Sequence, residues 1–318
     1  MTSFQHQPVL RRESIDILDL RPGMTVVDCT AGGGGHSRLI LEKILPEGML
    51  VAVDQDPQAL EATEKSLSEA CANQDRKPYV TIHSNFSRIK KILEELDIDG
   101  IDRAFMDLGP SSYQLDEGTR GFSYQHTGDL DMRMDPTGDA PTAYEIVTRY
   151  SAQELEQIIR RFGEERWSKR IAQVIVQERE KEAIKTTDQL VRVIKKAIPS
   201  AAREEGPHPA KRTFQAIRIY INKELDVLEP AIIDTVDSLR AEGRLAVISF
   251  HSLEDRIVKD TFKKLTADCV CPKDFPVCVC GKVRQGKILT TKPVLPGTAE
   301  IKKNPRSRSA KLRAFQKI

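Results

Sequence analysis

No stretch of the 318 residues approaches the roughly 18 to 20 consecutive apolar residues that a membrane-spanning helix needs. The start Met1-Thr2-Ser3-Phe4-Gln5-His6-Gln7 also lacks the charged-then-apolar pattern of a secretory signal, so a cytoplasmic protein that meets no membrane is expected. Cysteine is scarce, six in all, too few to staple a chain of this length. Four of the six cluster as Cys269-Val-Cys271 and Cys278-Val-Cys280, which raises a structural zinc. Two C-x-C pairs are a weaker signal than two C-x-x-C knuckles, and a reduced loop in which the cysteines act as small apolar residues is the alternative. The sequence leaves the metal open. No internal repeat is present. Hydrophobic residues make up 39% and charged residues 30%, which excludes disorder for most of the chain.

Forty-nine Lys and Arg against 47 Asp and Glu give a net charge of +2, but the two signs are unevenly spread. From Gly281 to Ile318 there are eleven basic residues and one acid, Glu300, a balance of +10, so the first 280 residues carry −8. Such a basic pole suits a polyanion, with a solvated tail as the plainer reading of Arg306-Ser-Arg308-Ser-Ala-Lys311-Leu-Arg313.

The first hundred residues alternate short β-branched runs with helical spacings. Thr25–Thr30, Met49–Val53, Val80–His83 and Ile101–Asp107 read as strands, with helices over Ser37–Leu45 and from Pro57 through Leu67. This rhythm predicts a parallel sheet covered on both faces. From about Tyr113 to Asp139 the chain reads as a long functional loop. Four helices follow, Ala143–Tyr150, Ala152–Phe162, Glu165–Lys181 and Thr187–Ile198, with Ser151 and Thr187 as N-caps. A long helix from Phe214 towards Leu239 and a strand over Arg244–Phe250 then return the chain to the sheet. The expected organisation is a discontinuous catalytic domain, 1–115 and 210–318, interrupted by a loop and helical insert, 116–209, for substrate recognition.

Val26-Val-Asp28-Cys-Thr-Ala-Gly32-Gly33-Gly34-Gly35-His36 is a strand entering a glycine turn that opens a helix, a place for a small polar cofactor. It lacks the Gly-Lys-Ser/Thr ending of a triphosphate P-loop, which points away from phosphoryl transfer. Asp54, about 20 residues on, can accept both ribose hydroxyls of a dinucleotide or of S-adenosylmethionine. Asp28 favours the second, because a carboxylate complements an ammonium group and repels a pyrophosphate.

Pro8-Val-Leu, Ala31-Gly-Gly-Gly-Gly-His-Ser37, Asp107-Leu-Gly-Pro-Ser-Ser-Tyr-Gln-Leu-Asp116, Arg120-Gly-Phe-Ser, Leu130-Asp-Met-Arg-Met-Asp135, Arg212-Thr-Phe-Gln-Ala-Ile-Arg218 and Ser249-Phe-His-Ser-Leu-Glu-Asp-Arg256 occur in order. Together they resemble the RsmH (MraW) family of bacterial ribosomal RNA methyltransferases. The resemblance implies a class I S-adenosylmethionine-dependent methyltransferase fold, a Rossmann-like α/β sheet with an inserted all-helical domain. It also implies methylation of the exocyclic N4 of cytidine 1402 (16S rRNA numbering), with 16S rRNA in the small ribosomal subunit as partner, not DNA, and a homodimer left open. The family's cofactor contacts fall on Gly34, Gly35, His36, Asp54, Phe86, Asp107 and Gln114. Asp107, or the carbonyls beside Leu108 and Gly109, would accept the amine N–H bonds of the target base, and Tyr113, Phe122 or Tyr124 would stack on it. His251 is left out of the catalytic set, as a residue that packs beside a helix capped by Ser252, and Arg133 and Asp135 are expected to pair with each other and order the loop, with RNA contact as the second reading. The rival readings are an NAD-dependent oxidoreductase and a ribosome assembly factor without turnover.

Overall fold

A computed structural model describes residues 8–72, 76–116, 118–204, 208–269, 271, 277 and 279–318. The chain divides into two compact units, Met1–Gly109 with Leu225–Ile318, and Pro110–Glu224. The second unit thus takes in more chain on each side than the insert expected at 116–209.

The first unit is built on strands β1 (Thr25–Asp28), β2 (Met49–Asp54), β3 (Tyr79–His83), β4 (Ile101–Asp107), β5 (Leu239–Ser249), β6 (Gly286–Ile288) and β7 (Lys311–Lys317). They form one sheet in the order β3-β2-β1-β4-β5-β7-β6. The first five are parallel, and β7 runs antiparallel to both β5 and β6. The chain starts in the middle of the sheet, builds outward to β3, then crosses back to β4, which is a doubly wound, Rossmann-like arrangement. Side chains alternate between two cores as the pleat requires. Val27, Val51, Val53, Met106 and Val247 pack with the helices Ile89–Glu95, Leu228–Ser238 and Ser252–Thr266. Val26, Leu50, Ala52, Phe105 and Ile248 pack with Arg11–Leu18, Gly35–Ile44 and Pro57–Ala70. Both faces are covered, as the apolar runs predicted.

At the C-terminal end the plainer reading, a solvated tail, fails from Lys311 onward. Lys311–Lys317 is an interior strand, and Arg313, only 7% exposed, donates to Asp255 at 2.6 Å while Lys311 reaches the same carboxylate at 2.9 Å. The single helix expected over Phe214–Leu239 is two, Lys211–Asn222 and Leu228–Ser238. Lys223 caps the first in the left-handed region (φ 51), and the Glu224 N–H reaches back to the Ile219 carbonyl at 3.2 Å, closing a Schellman-type end without a glycine.

The second unit carries helices Ala143–Arg149, Ala152–Gly163, Ser168–Arg179, Thr187–Ala197, Ser200–Glu204 and Lys211–Asn222. Ser151 caps its helix in a reciprocal pair with Glu154. Thr187 does not cap; Thr186 does, its N–H donating to the Gln189 side chain at 3.0 Å, while the Thr187 hydroxyl donates to the His126 carbonyl. The segment expected as a loop is held from within by buried Leu130, Met132 and Met134 and by Arg120, which donates to the carbonyls of Arg133 and Met134. Arg133 pairs with Asp131 at 2.8 Å rather than with Asp135.

Candidate functional site

The parallel strands of the first unit end together, so the residues that close β1, β2 and β4 share one edge, at the point where the winding reverses between β1 and β4. Each of these strands ends in an aspartate: Asp28, Asp54 and Asp107.

The turn after β1 is tied on every side. Cys29 N–H donates to the Phe105 carbonyl, Ala31 N–H to that of Val53, and Gly34 N–H to that of Ala31. The Thr63 hydroxyl donates to the Gly32 carbonyl at 2.8 Å. Gly34 has φ +79, and a Cβ there would stand 3.0 Å from both Thr63 Cα and Ser66 Cβ. A Cβ on Gly35 would meet Pro8 at 2.7 Å, whereas one on Gly33 would meet nothing within 4 Å. Among the described residues the turn is therefore sealed at Gly34 and Gly35 and open at Gly33, a position that the sequence pattern does not distinguish within the glycine run.

Asp28 is wholly buried. Its Oδ2 accepts the Ser37 hydroxyl at 2.6 Å and its Oδ1 the Thr30 N–H at 3.1 Å. Burial pushes its carboxyl above the usual range against those bonds. This corrects the expectation that Asp28 meets a ligand ammonium: it holds the turn from below. Asp54 stays partly exposed, accepting Gly32 N–H at 2.8 Å and Asp56 N–H at 2.9 Å, and desolvation pushes its carboxyl up to about 6. Asp107 donates its N–H to the Thr30 hydroxyl at 2.6 Å. Its Oδ2 lies 3.4 Å from His36 Nδ1, and its buried Oδ1 has no hydrogen-bond partner among the described residues.

His36 itself is 6% exposed, with Nε2 3.0 Å from the Val9 carbonyl and its ring against Phe105. Phe86 opens the short 3-10 turn after β3 and packs against the core with part of its ring exposed. Asn85 caps that turn and donates to the Gln55 side chain at 2.8 Å, while Ser84 N–H donates to the Asp54 carbonyl, so the loops after β2 and β3 are tied to each other. Gln114 belongs to the second unit, where it is 3% exposed and its side-chain carbonyl accepts the Ser111 N–H at 3.0 Å.

Of the three aromatics expected to stack on a base, Phe122 is buried and Tyr124 is stacked on His208 at 4.6 Å. Tyr113 is 39% exposed. His251, not Ser252, is the N-cap of the helix Ser252–Thr266, its Nδ1 accepting the Glu254 N–H at 3.4 Å. Cys278 lies outside the described residues.

An edge where Asp54 and Asp107 present carboxylates beside a glycine turn favours a ligand with hydroxyl donors and positive charge. A sequence model described as the MraW methylase family matches residues 3–318. Curated relatives agree over the same span. A ribosomal RNA small subunit methyltransferase H of Clostridium botulinum (strain Kyoto / Type A2) is 51% identical over 99% of both chains. Proteins of the same name from Clostridioides difficile and Brevibacillus brevis are 50% and 49% identical, each over 99% of both chains.

Proposed function

This chain belongs to the MraW methylase family, and from that premise we propose that it methylates small-subunit ribosomal RNA with S-adenosylmethionine, at the exocyclic N4 of cytidine 1402 (16S rRNA numbering). The observation that carries this reading is the match of the whole chain to methyltransferases of that RNA, in a protein whose central strand ends form an acid-lined glycine cradle.

The residues present fit the cofactor. The turn is open on the side of Gly33, Asp54 has lone pairs beyond those taken by Gly32 and Asp56, and Asp107 Oδ1 is a buried acceptor without a donor among the described residues. S-adenosylmethionine, when bound, supplies a methyl group on a sulfonium, already a strong electrophile. Asp54 would accept the ribose hydroxyls, Phe86 would offer its exposed apolar face to the adenine, and Gly34 and Gly35 would keep the turn backbone close. His36 would act through its place beside Asp107, since its ring is taken up by Val9 and Phe105. Gln114 completes the set of contacts that the family resemblance implies.

The cytosine N4 amine is a weak nucleophile because its lone pair is delocalised into the ring, so alignment is the main task of the site. Asp107 Oδ1 is the acceptor we assign to an amine N–H as positive charge develops on nitrogen. The target base is handled unstacked, and Tyr113 is the aromatic with the most exposed ring of the three expected to stack on it. Arg284, Lys287, Lys302, Lys303 and Arg306 remain exposed, as a surface facing RNA phosphates requires.

The test is mass mapping of small-subunit RNA after incubation of the purified protein with S-adenosylmethionine, using naked RNA and assembled particles in parallel. One methyl on N4 of that cytidine is expected. Methylation at another nucleotide overturns the position, and no incorporation into either substrate overturns the activity and favours an assembly factor.

A further inference from the structure

The proposed chemistry leaves the clustered cysteines unused. They lie in the connection between the helix Ser252–Thr266 and β6, residues 267–285, whose described residues form no helix or strand. Its two ends meet, Gln285 N–H donating to the Leu265 carbonyl at 2.9 Å, so the connection is a closed excursion from the body of the unit. Its described residues gain little from burial: Val277, Val279 and Val283 are 70%, 72% and 77% exposed. Residues this exposed take their order from some other tie.

Cys269, Cys271 and Cys280 bring one sulfur each to within 4.8 Å of the others, and none is in a disulfide. Cys269 Sγ and Cys280 Sγ, eleven residues apart, are separated by 3.8 Å. Sulfurs on a tetrahedral zinc at about 2.3 Å stand about 3.8 Å from one another, whereas a disulfide would require about 2.05 Å. The Cys271 N–H donates to Cys269 Sγ at 3.3 Å, the backbone support that orients and stabilises a ligating thiolate. Three thiols from both ends of one loop select a soft or borderline cation over calcium or magnesium.

We propose that Cys269, Cys271 and Cys280 bind a zinc ion that clips this excursion shut. Each thiol gives up its proton as its sulfur bonds to the metal, so no oxidant or reductant is needed and binding weakens as pH falls. The clip fixes Gly281, Lys282 and Val283 over Ile233 and Leu265, where together they line a cavity of about 510 Å³, and sets the start of the basic C-terminal segment.

Metal analysis of the full chain, purified under reductant and equilibrated with equimolar zinc sulfate, tests this. About one zinc per chain is expected, falling below about a tenth in Cys269→Ser, Cys271→Ser and Cys280→Ser and unchanged in Cys71→Ser. Cobalt added to the unsubstituted chain should give thiolate-to-metal charge-transfer absorption, a readout independent of how the variants fold. A metal-free chain after equilibration, zinc retained by all three variants, or cobalt spectra without thiolate bands would overturn the proposal.

Discussion

Gly32 and Asp54, 22 residues apart, meet through one hydrogen bond, the glycine N–H donating to the carboxylate Oδ2 at 2.8 Å. That bond ties the turn after the first strand to the end of the second, and gives the carboxylate a structural task before any ligand arrives. Its pKa of about 6 follows from the desolvation this position imposes. A carboxyl whose folded pKa lies above its unfolded value of about 3.9 favours the fold while protonated. That contribution is complete below about pH 3.9 and is lost as pH rises through about 6. Ligand binding runs the other way, because ribose hydroxyls donate to the ionised form. Calorimetry should therefore show S-adenosylmethionine affinity rising between about pH 5 and 7, approaching tenfold per unit below the midpoint. Asp54→Asn should bind weakly with a flat profile, and a flat profile in the unsubstituted protein would remove Asp54 from the cofactor set.

Gly33 and Gly34 are adjacent and should respond in opposite ways to alanine. Gly34→Ala forces a Cβ at φ +79 against Thr63 and Ser66 and should cost about 1–3 kcal/mol, read from urea denaturation. Gly33→Ala meets only open space and should stay within about 0.5 kcal/mol of the parent while weakening cofactor binding. Unaltered affinity in a stable Gly33→Ala protein would place the ligand elsewhere.

Asp107→Asn preserves shape and removes the charge from the buried Oδ1, which has no partner among the described residues. Methyl transfer should fall about 100-fold or more, with cofactor affinity measured separately to show that the loss is in turnover. Full turnover with normal binding would end the carboxylate's assignment.

Asp255→Ala should cost about 3–5 kcal/mol, because it strands the buried Arg313 guanidinium on an interior strand of the sheet. Burial opposes the Asp255 charge, but hydrogen bonds from Arg313 and Lys311 outweigh it and hold its carboxyl below the usual range. This pair thus stabilises the fold above about pH 3.9, and its contribution fades as pH falls through the lower folded pKa. The missing acid limb should show when Asp255→Ala is unfolded thermally between about pH 2 and 5. An unchanged limb would mean that other carboxylates govern acid unfolding.

The five parallel strands could be read from sequence because a strand covered on both faces must be apolar almost throughout, and no other element here looks like that. The glycine turn and its aspartates were visible for a similar reason, since positive φ and strand-end acids are properties of residue type and spacing. β7 was hidden because Arg313 and Gln316 are buried in it: their polarity is satisfied by Asp255 and Glu242, partners 58 and 74 residues away that no local pattern announces. The break between Asn222 and Leu228 was hidden because Lys223 takes a left-handed conformation without being glycine, while the Asn222 side chain bonds Met132 and Met134.

Sequence by itself determined the five parallel strands, most of the helices and the family, since each depends on local periodicity or on motifs in order. Only tertiary structure decided what the polar groups do. It sent Asp28 to the turn's interior, left one oxygen of Asp107 without a partner among the described residues, paired Arg133 with Asp131, and brought three cysteines within reach of one ion. Burying a polar atom is costly unless a partner meets it, and that partner is supplied by the fold from anywhere in the chain.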